Sequence, residues 1–246
     1  ALVEQGADLL DVGGESTRPG ATEVSTDAEI ERVVPVIAAL TQHTAVPISI
    51  DTSKPEVMRA AVAAGAGMIN DVCALRREGA LDAAAALGVP VCLMHMQGEP
   101  RTMQKGPHYD DVVAEVKRFL ADRLLTCEFA GIAKKQLLID PGFGFGKTLE
   151  HNLALLRALR QFTDLGVPVL AGLSRKAMIG TLTARGEPAA REHGSVAAAL
   201  IAVQRGAAIV RVHDVAATRD ALAVWRAVGA EPGGKPAFPR RRSDED

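Results

Sequence analysis

Ile48-Ser49-Ile50-Asp51-Thr52-Ser53-Lys54 is a short β-branched run that stops at a carboxylate, and the same arrangement recurs along the chain. Leu9-Leu10-Asp11-Val12-Gly13-Gly14 ends at Glu15, Met68-Ile69 at Asn70 and Cys92-Leu93-Met94 at His95. Leu137-Leu138-Ile139 ends at Asp140, and Ile209-Val210-Arg211-Val212 at His213. Apolar runs of this length, alternating with helical stretches, read as parallel strands buried on both faces. Polar groups at the carboxyl ends of such strands converge on one face of an α/β barrel, the face that carries catalysis in that architecture. The pattern is that of an enzyme.

The spacing predicts strands near 8–13, 46–51, 67–71, 90–94, 136–140, 167–171 and 207–212. Helices are expected at 27–43, 54–64, 78–88, 110–130 and 148–162, across 174–205 and at 214–228. Residues 1–6 read as the tail of a helix stopped at Gly6. The helix from 27 opens with Thr26 and Glu29 in capping-box spacing and carries Ile30, Val33, Val34 and Ile37 on one face. Pro35 is expected to kink it. Seven strands fall one short of the eight that close a (β/α)₈ barrel. The expected fold is therefore α/β, a TIM (β/α)₈ barrel with the first β-strand and its loop absent from this chain; an opening Ala1 in place of Met agrees with a fragment. Residues 1–229 would form the barrel domain, and 230–246, without periodicity and nearly without apolar residues, a disordered tail.

A length of 246 residues with 48% hydrophobic content suffices for one full core. The net charge of −2 favours neither sign, which argues against nucleic acid or a membrane surface as partner. No apolar run approaches the ~20 residues of a membrane span, and no signal-peptide pattern opens the chain. Cys73, Cys92 and Cys127 lack metal-ligand spacing and read as reduced, structural thiols of a cytoplasmic protein. Six Phe, one Tyr and one Trp leave no stacking platform for single-stranded nucleic acid.

Asp51, Asn70 and Asp140 follow strands into one expected cavity, where two carboxylates and an amide suit a flat, donor-rich heterocycle such as an aminopyrimidinone. Asp51 has a competing reading as the cap of the helix near Lys54. The segment from Asp140 to Thr148, with Gly142, Gly144 and Gly146, invites comparison with a phosphate loop, but Pro141 stands where a Walker A motif requires Gly. Its glycines are better read as allowing a sharp turn that sets Phe143 or Phe145 against a planar ligand. Gly172-Leu173-Ser174-Arg175-Lys176 opens a helix and reads as an anion site, with Lys176 alternatively a Schiff-base lysine or a solvated charge. Arg211 and His213 share a strand face and, with Arg18, suit a multiply charged phosphate group. His95 reads as a packed, hydrogen-bonded histidine.

Taken in order, these segments resemble the dihydropteroate synthase family of the folate pathway over residues 1 to about 228. The resemblance rests on Asp11–Gly20, Ile50–Pro55, Ile69–Asp71, Leu93–Gln97, Asp140–Gly146, Ser174–Lys176 and Arg211–His213. It implies a transferase that condenses 6-hydroxymethyl-7,8-dihydropterin pyrophosphate with 4-aminobenzoate, giving dihydropteroate and pyrophosphate, and that is inhibited by sulfonamides. On this resemblance Asp51, Asn70, Met94, Asp140, Phe145, Gly172 and Lys176 hold the pterin. Thr17, Arg18, Pro19 and Ser174 serve the aminobenzoate, and Arg18, Arg211 and His213 the diphosphate. Asp51, Lys176, Arg211 and His213 are the implied catalytic set. The family also implies Mg²⁺, with its protein ligand in the absent first loop and none on this chain, and a homodimer. Ala177 stands where the family often has serine. Two other readings share the barrel: a non-catalytic pterin-binding paralogue and a pterin-dependent corrinoid methyltransferase domain.

Overall fold

The strand-end pattern produces seven short parallel strands: β1 (Leu10–Gly13), β2 (Ile48–Asp51), β3 (Met68–Asp71), β4 (Val91–Met94), β5 (Leu137–Asp140), β6 (Val169–Ala171) and β7 (Ala207–Val210). They pair in sequential order in a computed structural model that describes residues 1–18, 20–100 and 102–229. Pro19 and the expected tail at 230–246 lie outside the described residues. The intervening helices are α1 (Thr26–His43), α2 (Pro55–Ala63), α3 (Ala80–Leu87), α4 (Val112–Phe129), α5 (Leu149–Arg157), α6 (Ala177–Thr183), α7 (Glu192–Gln204) and α8 (Val215–Gly229). The strand–helix alternation is the α/β barrel expected from the sequence.

A flat sheet of seven strands spaced about 4.8 Å would hold its edges roughly 29 Å apart. Instead Arg211, one residue beyond β7, reaches Asp11 on β1 with Nη1 and Oδ2 3.0 Å apart. No arginine spans the flat distance, so the sheet must be curled almost onto itself. Among the described residues β7 and β1 share no backbone ladder, and the seam is bridged by side chains. Arg219 of α8 donates to the Gly6 carbonyl (2.7 Å) and to Asp8 (3.1 Å) across the same gap. Every residue of β3, β4 and β5 is buried, whereas β1 and β7 at the seam are partly exposed.

Period-two alternation sorts each strand between two environments. Ile50, Ile69, Leu93, Ile139 and Val169 face outward into the core shared with the helices, together with Ile37, Leu120 and Phe162. Met68, Cys92, Leu138 and Leu170 fill the barrel interior as an apolar layer. One pleat higher, the same inward phase carries Asp11, Asp51, Asn70, Met94, Asp140 and Gly172, so the polar layer sits directly on the apolar one.

Several local expectations are corrected. Ser25, not Thr26, caps α1, its Oγ accepting from the Ala28 amide at 3.3 Å. Glu29 is drawn away from a capping box because its carboxylate is buried against Lys54 at 2.6 Å. Pro35, on the exposed side of α1, does not end the helix, as expected. Residues 1–6 form hydrogen-bonded turns rather than a helix end, closed at Gly6 with φ +93°. The stretch at 148–162 divides into α5 and 3₁₀ turns over Leu159–Leu165, and that at 174–205 into α6, a 3₁₀ turn at Pro188–Arg191 and α7.

The β5–α5 loop is pinned to the β4 end by two devices. Gly142 has φ +72°, and a Cβ there would fall 1.8 Å from the His95 carbonyl oxygen. Lys147 is buried and donates to the Gly142 and Phe145 carbonyls, both at 2.9 Å, beside His95 Nδ1 at 3.0 Å. Gly88, the C-cap of α3 with φ +65°, has open space around its missing Cβ. Gly88→Ala should therefore cost only the left-handed backbone penalty, about 1 kcal/mol. Gly142→Ala adds a steric overlap and should cost at least about 3 kcal/mol in urea unfolding. Similar losses from the two would refute this close approach.

Candidate active site

Strand register sets the floor of the site: Asp51 is paired with Asn70, and Met94 with Asp140. Arg211 enters from the seam and places Nη1 between Asp11 Oδ2 (3.0 Å) and Asp51 Oδ2 (3.1 Å), while Asn70 Nδ2 donates to Asp11 Oδ2 at 3.3 Å. The other oxygen of Asp51, Oδ1, is buried and has no hydrogen-bond partner among the described residues. Burial, reinforced by the charge of Asp11 and opposed by Arg211, raises the Asp51 carboxyl to about 7. For Arg211, burial works against the charge, and Asp51 and Asp11 outweigh it.

Asp140 faces this group from the opposite side. Its Oδ1 accepts from the Gly142 amide at 2.7 Å, and burial raises its pKa against the opposing charge of Lys176. Lys176 donates to the Phe143 carbonyl and holds Nζ 4.6 Å above the Phe145 ring. Burial lowers it to about 7, Asp140 opposing and Arg211 adding to the shift. Between these groups lies Gly172: a Cβ there would stand 3.5 Å from Arg211 Nε and 3.9 Å from Asp140 Oδ2. A side chain larger than a methyl group at this position would fill the space between that cation and that carboxylate. Met94 and Phe145, with Met96 and Met103, supply the adjoining apolar wall.

The open alternatives are now decided by geometry. Asp51 does not cap α2, whose N-cap is Lys54 with no side-chain cap bond. Phe143 is fully buried in the core between sheet and helices, so Phe145 is the phenylalanine beside the polar layer. Arg175 does not form an anion site with Lys176: at φ +57° it turns outward and pairs through both Nε and Nη2 with Asp214. His95 is packed, edge-on to Phe119 and beside Lys147, and burial followed by the Lys147 charge lowers it to about 2.

His213 meets Ser174, whose Oγ accepts from the His213 amide at 3.1 Å and lies 2.9 Å from Nδ1. With the hydroxyl donating to Nδ1, the ring proton belongs on Nε2. Burial and then the charge of Arg175 lower the His213 pKa, with Arg211 and Arg18 contributing in the same sense. Arg18 sits on the exposed loop after β1 and so shares an electropositive region with Arg211 and His213. A cavity of about 490 Å³ opens from Asp51 past Thr17, Lys54, Cys73, Arg76 and Met96.

Asp11 and Lys54 belong to this site although the sequence reading gave them no role. Asp11 was recoverable, because it shares the inward phase of Leu9. Lys54 was not, since its partners Glu15 and Glu29 lie 39 and 25 residues away.

Residues 1–213 match the family model described as pterin binding enzyme. Dihydropteroate synthase of Escherichia coli strain K12 is 55% identical over 226 residues, covering 92% of this chain and 80% of that protein. The chain belongs to the dihydropteroate synthase family of pterin-binding enzymes. A structure of the Xanthomonas albilineans dihydropteroate synthase with 4-aminobenzoic acid superposes with a TM-score of 0.90 at 65% identity, covering 94% of this chain and 82% of that one. Another, in complex with 7,8-dihydropteroate, gives 0.87 at 61% identity with the same coverage. The activity of this family is that of a transferase, and its α/β barrel is the fold described above.

The expectation that the buried Asp140 recognises the pterin ring is tested by its exchange. Asp140→Asn keeps the shape but turns one acceptor into a donor. It should weaken binding of 6-hydroxymethyl-7,8-dihydropterin by about 2–3 kcal/mol, roughly 30- to 150-fold, in calorimetry. Unchanged affinity would remove Asp140 from the site.

Proposed function

We propose that the strand-end layer condenses 6-hydroxymethyl-7,8-dihydropterin pyrophosphate with 4-aminobenzoate, with the pterin held by Asp51, Asn70, Asp140 and Lys176 between Met94, Phe145 and Gly172. The observation that carries this reading is the inward layer in which strand register sets Asp51 beside Asn70 and Met94 beside Asp140, with Asp51 Oδ1 left without a hydrogen-bond partner among the described residues. A pterin edge supplies parallel N–H donors in the plane a carboxylate accepts.

The C–O bond between the exocyclic methylene and the diphosphate breaks, and the electron pair leaves with pyrophosphate. Asp51 stabilises the positive charge that develops on the pterin methylene system. Arg211, Arg18 and the Nε2–H of His213 stabilise the negative charge on the departing oxygens. The amine of 4-aminobenzoate then forms the C–N bond and loses a proton. Thr17, Arg18, Pro19 and Ser174 are the residues we assign to the aminobenzoate, with Thr17 on the cavity that opens from Asp51. A pterin-binding paralogue without catalysis, or a corrinoid methyltransferase domain, has no use for Arg18, Arg211 and His213 gathered at one end.

The family resemblance adds a Mg²⁺ ion, but among the described residues no three His, Cys, Asp or Glu side chains gather to hold a metal. No helix among the described residues is long and apolar enough to cross a membrane. Three unpaired cysteines fit the reducing cytoplasm, and the exposed Ile201, Val224 and Val228 of α7 and α8 fit the family's homodimer. Sedimentation equilibrium of the chain tests the dimer.

The reading is tested by pyrophosphate release in Arg211→Met. Loss of one preorganised cation at the leaving group should reduce kcat/KM at least about 100-fold. The same change removes the group that holds Asp51 down, so its carboxyl stays protonated to higher pH and the acid limb of kcat/KM moves upward. An unshifted limb with near-parental rate would contradict both roles.

A further inference from the structure

The loop over residues 15–24 leaves the end of β1, carries Thr17 and Arg18, and returns into α1. Its two ends converge on a single atom. Lys54 Nζ lies 2.5 Å from Glu15 Oε2 at the loop's entry and 2.6 Å from the Val24 carbonyl at its exit. The third proton of the ammonium goes to Glu29 Oε2 on α1 at 2.6 Å. Lys54 is thus fully satisfied while 2% exposed, and Glu29 is 1% exposed. Two lesser bonds close the same ring: the Val24 amide donates to Glu15 Oε1 at 3.4 Å, and Arg32 donates to the Gly14 carbonyl at 2.9 Å.

We propose that Lys54 is the positioning residue of the aminobenzoate site, clasping both ends of the 15–24 loop on one buried ammonium and so fixing Thr17 on the cavity and the adjoining Arg18. Lysine suits this post because three protons on one nitrogen diverge toward three acceptors, which the planar fork of arginine does not match. The clasp also ties the loop to the pterin floor, since Lys54 follows Asp51 by three residues in the turn that opens α2. A bare ion pair between Lys54 and Glu29 would stabilise the fold. The added bonds to Glu15 and Val24 do something different: they remove the freedom of a loop that would otherwise have to be ordered as the second substrate binds.

The inference rests on the reading that Thr17 and Arg18 meet 4-aminobenzoate, and the test separates the two. Glu15→Leu removes the loop's entry tie and leaves the Lys54–Glu29 pair in place. Lys54→Met with Glu29→Met removes the whole clasp without stranding a buried charge. Both variants should retain the parent circular dichroism and bind 6-hydroxymethyl-7,8-dihydropterin within about twofold of the parent, with the KM for 4-aminobenzoate raised at least about tenfold. Arg18→Ala is measured beside them. A raised KM in Arg18→Ala with a parental KM in both clasp variants overturns the inference and leaves the aminobenzoate reading intact. A parental KM in all three overturns that reading, and the inference with it. Equal loss of pterin affinity and aminobenzoate KM in folded variants would show that Lys54 holds the barrel rather than the loop.

Discussion

One arginine holds the two ends of the sheet in conversation. Arg211 is attached to the last strand and shares a single nitrogen between Asp11 on the first strand and Asp51 on the second. Where backbone pairing would close a barrel, the described residues close the seam with that charge and with Arg219. The same contact sets the chemistry, because Arg211 opposes the burial and the Asp11 charge that push Asp51 up to about 7. Curling the sheet and tuning a carboxylate are one interaction. A substitution at Arg211 therefore alters the seam together with the charge beside Asp51.

The polar layer above the barrel core places charges where water is scarce. Asp140 is raised, Lys176 is lowered to about 7, and Lys147 is lowered to about 7, each chiefly by burial. Asp140 lies beside Gly172 and Lys176 over the Phe145 ring, whereas Lys147 directs its protons to carbonyls of the loop that carries Phe145. Similar shifts thus accompany different duties, and geometry separates them. Within the layer that holds Asp51, Asn70 and Asp140, Asp51 Oδ1 is left with unfilled hydrogen-bonding capacity.

Much of this was legible in the chain because period two is a local rule. Apolar runs ending at Asp51, Asn70 and Asp140 announced the strands, their inward phase and the face that would bear chemistry. What failed to show was contact between distant residues and backbone that leaves the regular regions. Lys54 reads as a helix opener until its partners 25 and 39 residues away are brought against it, and its pull on Glu29 is also why the capping box did not form. Arg175 looked like an anion ligand until a left-handed φ turned it toward Asp214. Phe143 and Phe145 were indistinguishable in sequence, since the positive-φ glycines around them break the alternation that would have assigned each a side.

The claim on which the rest turns is that the free oxygen of Asp51 is an acceptor reserved for the pterin. Titrating the side-chain carboxyl carbons by NMR, with and without 6-hydroxymethyl-7,8-dihydropterin, observes it directly. In the free chain one aspartate should titrate near 7 and disappear from that range in Asp51→Asn. On binding, ligand N–H groups favour the ionised form, so its pKa should fall. A carboxyl that titrates in the ordinary aspartate range, or one unmoved when the pterin is bound, would contradict the account.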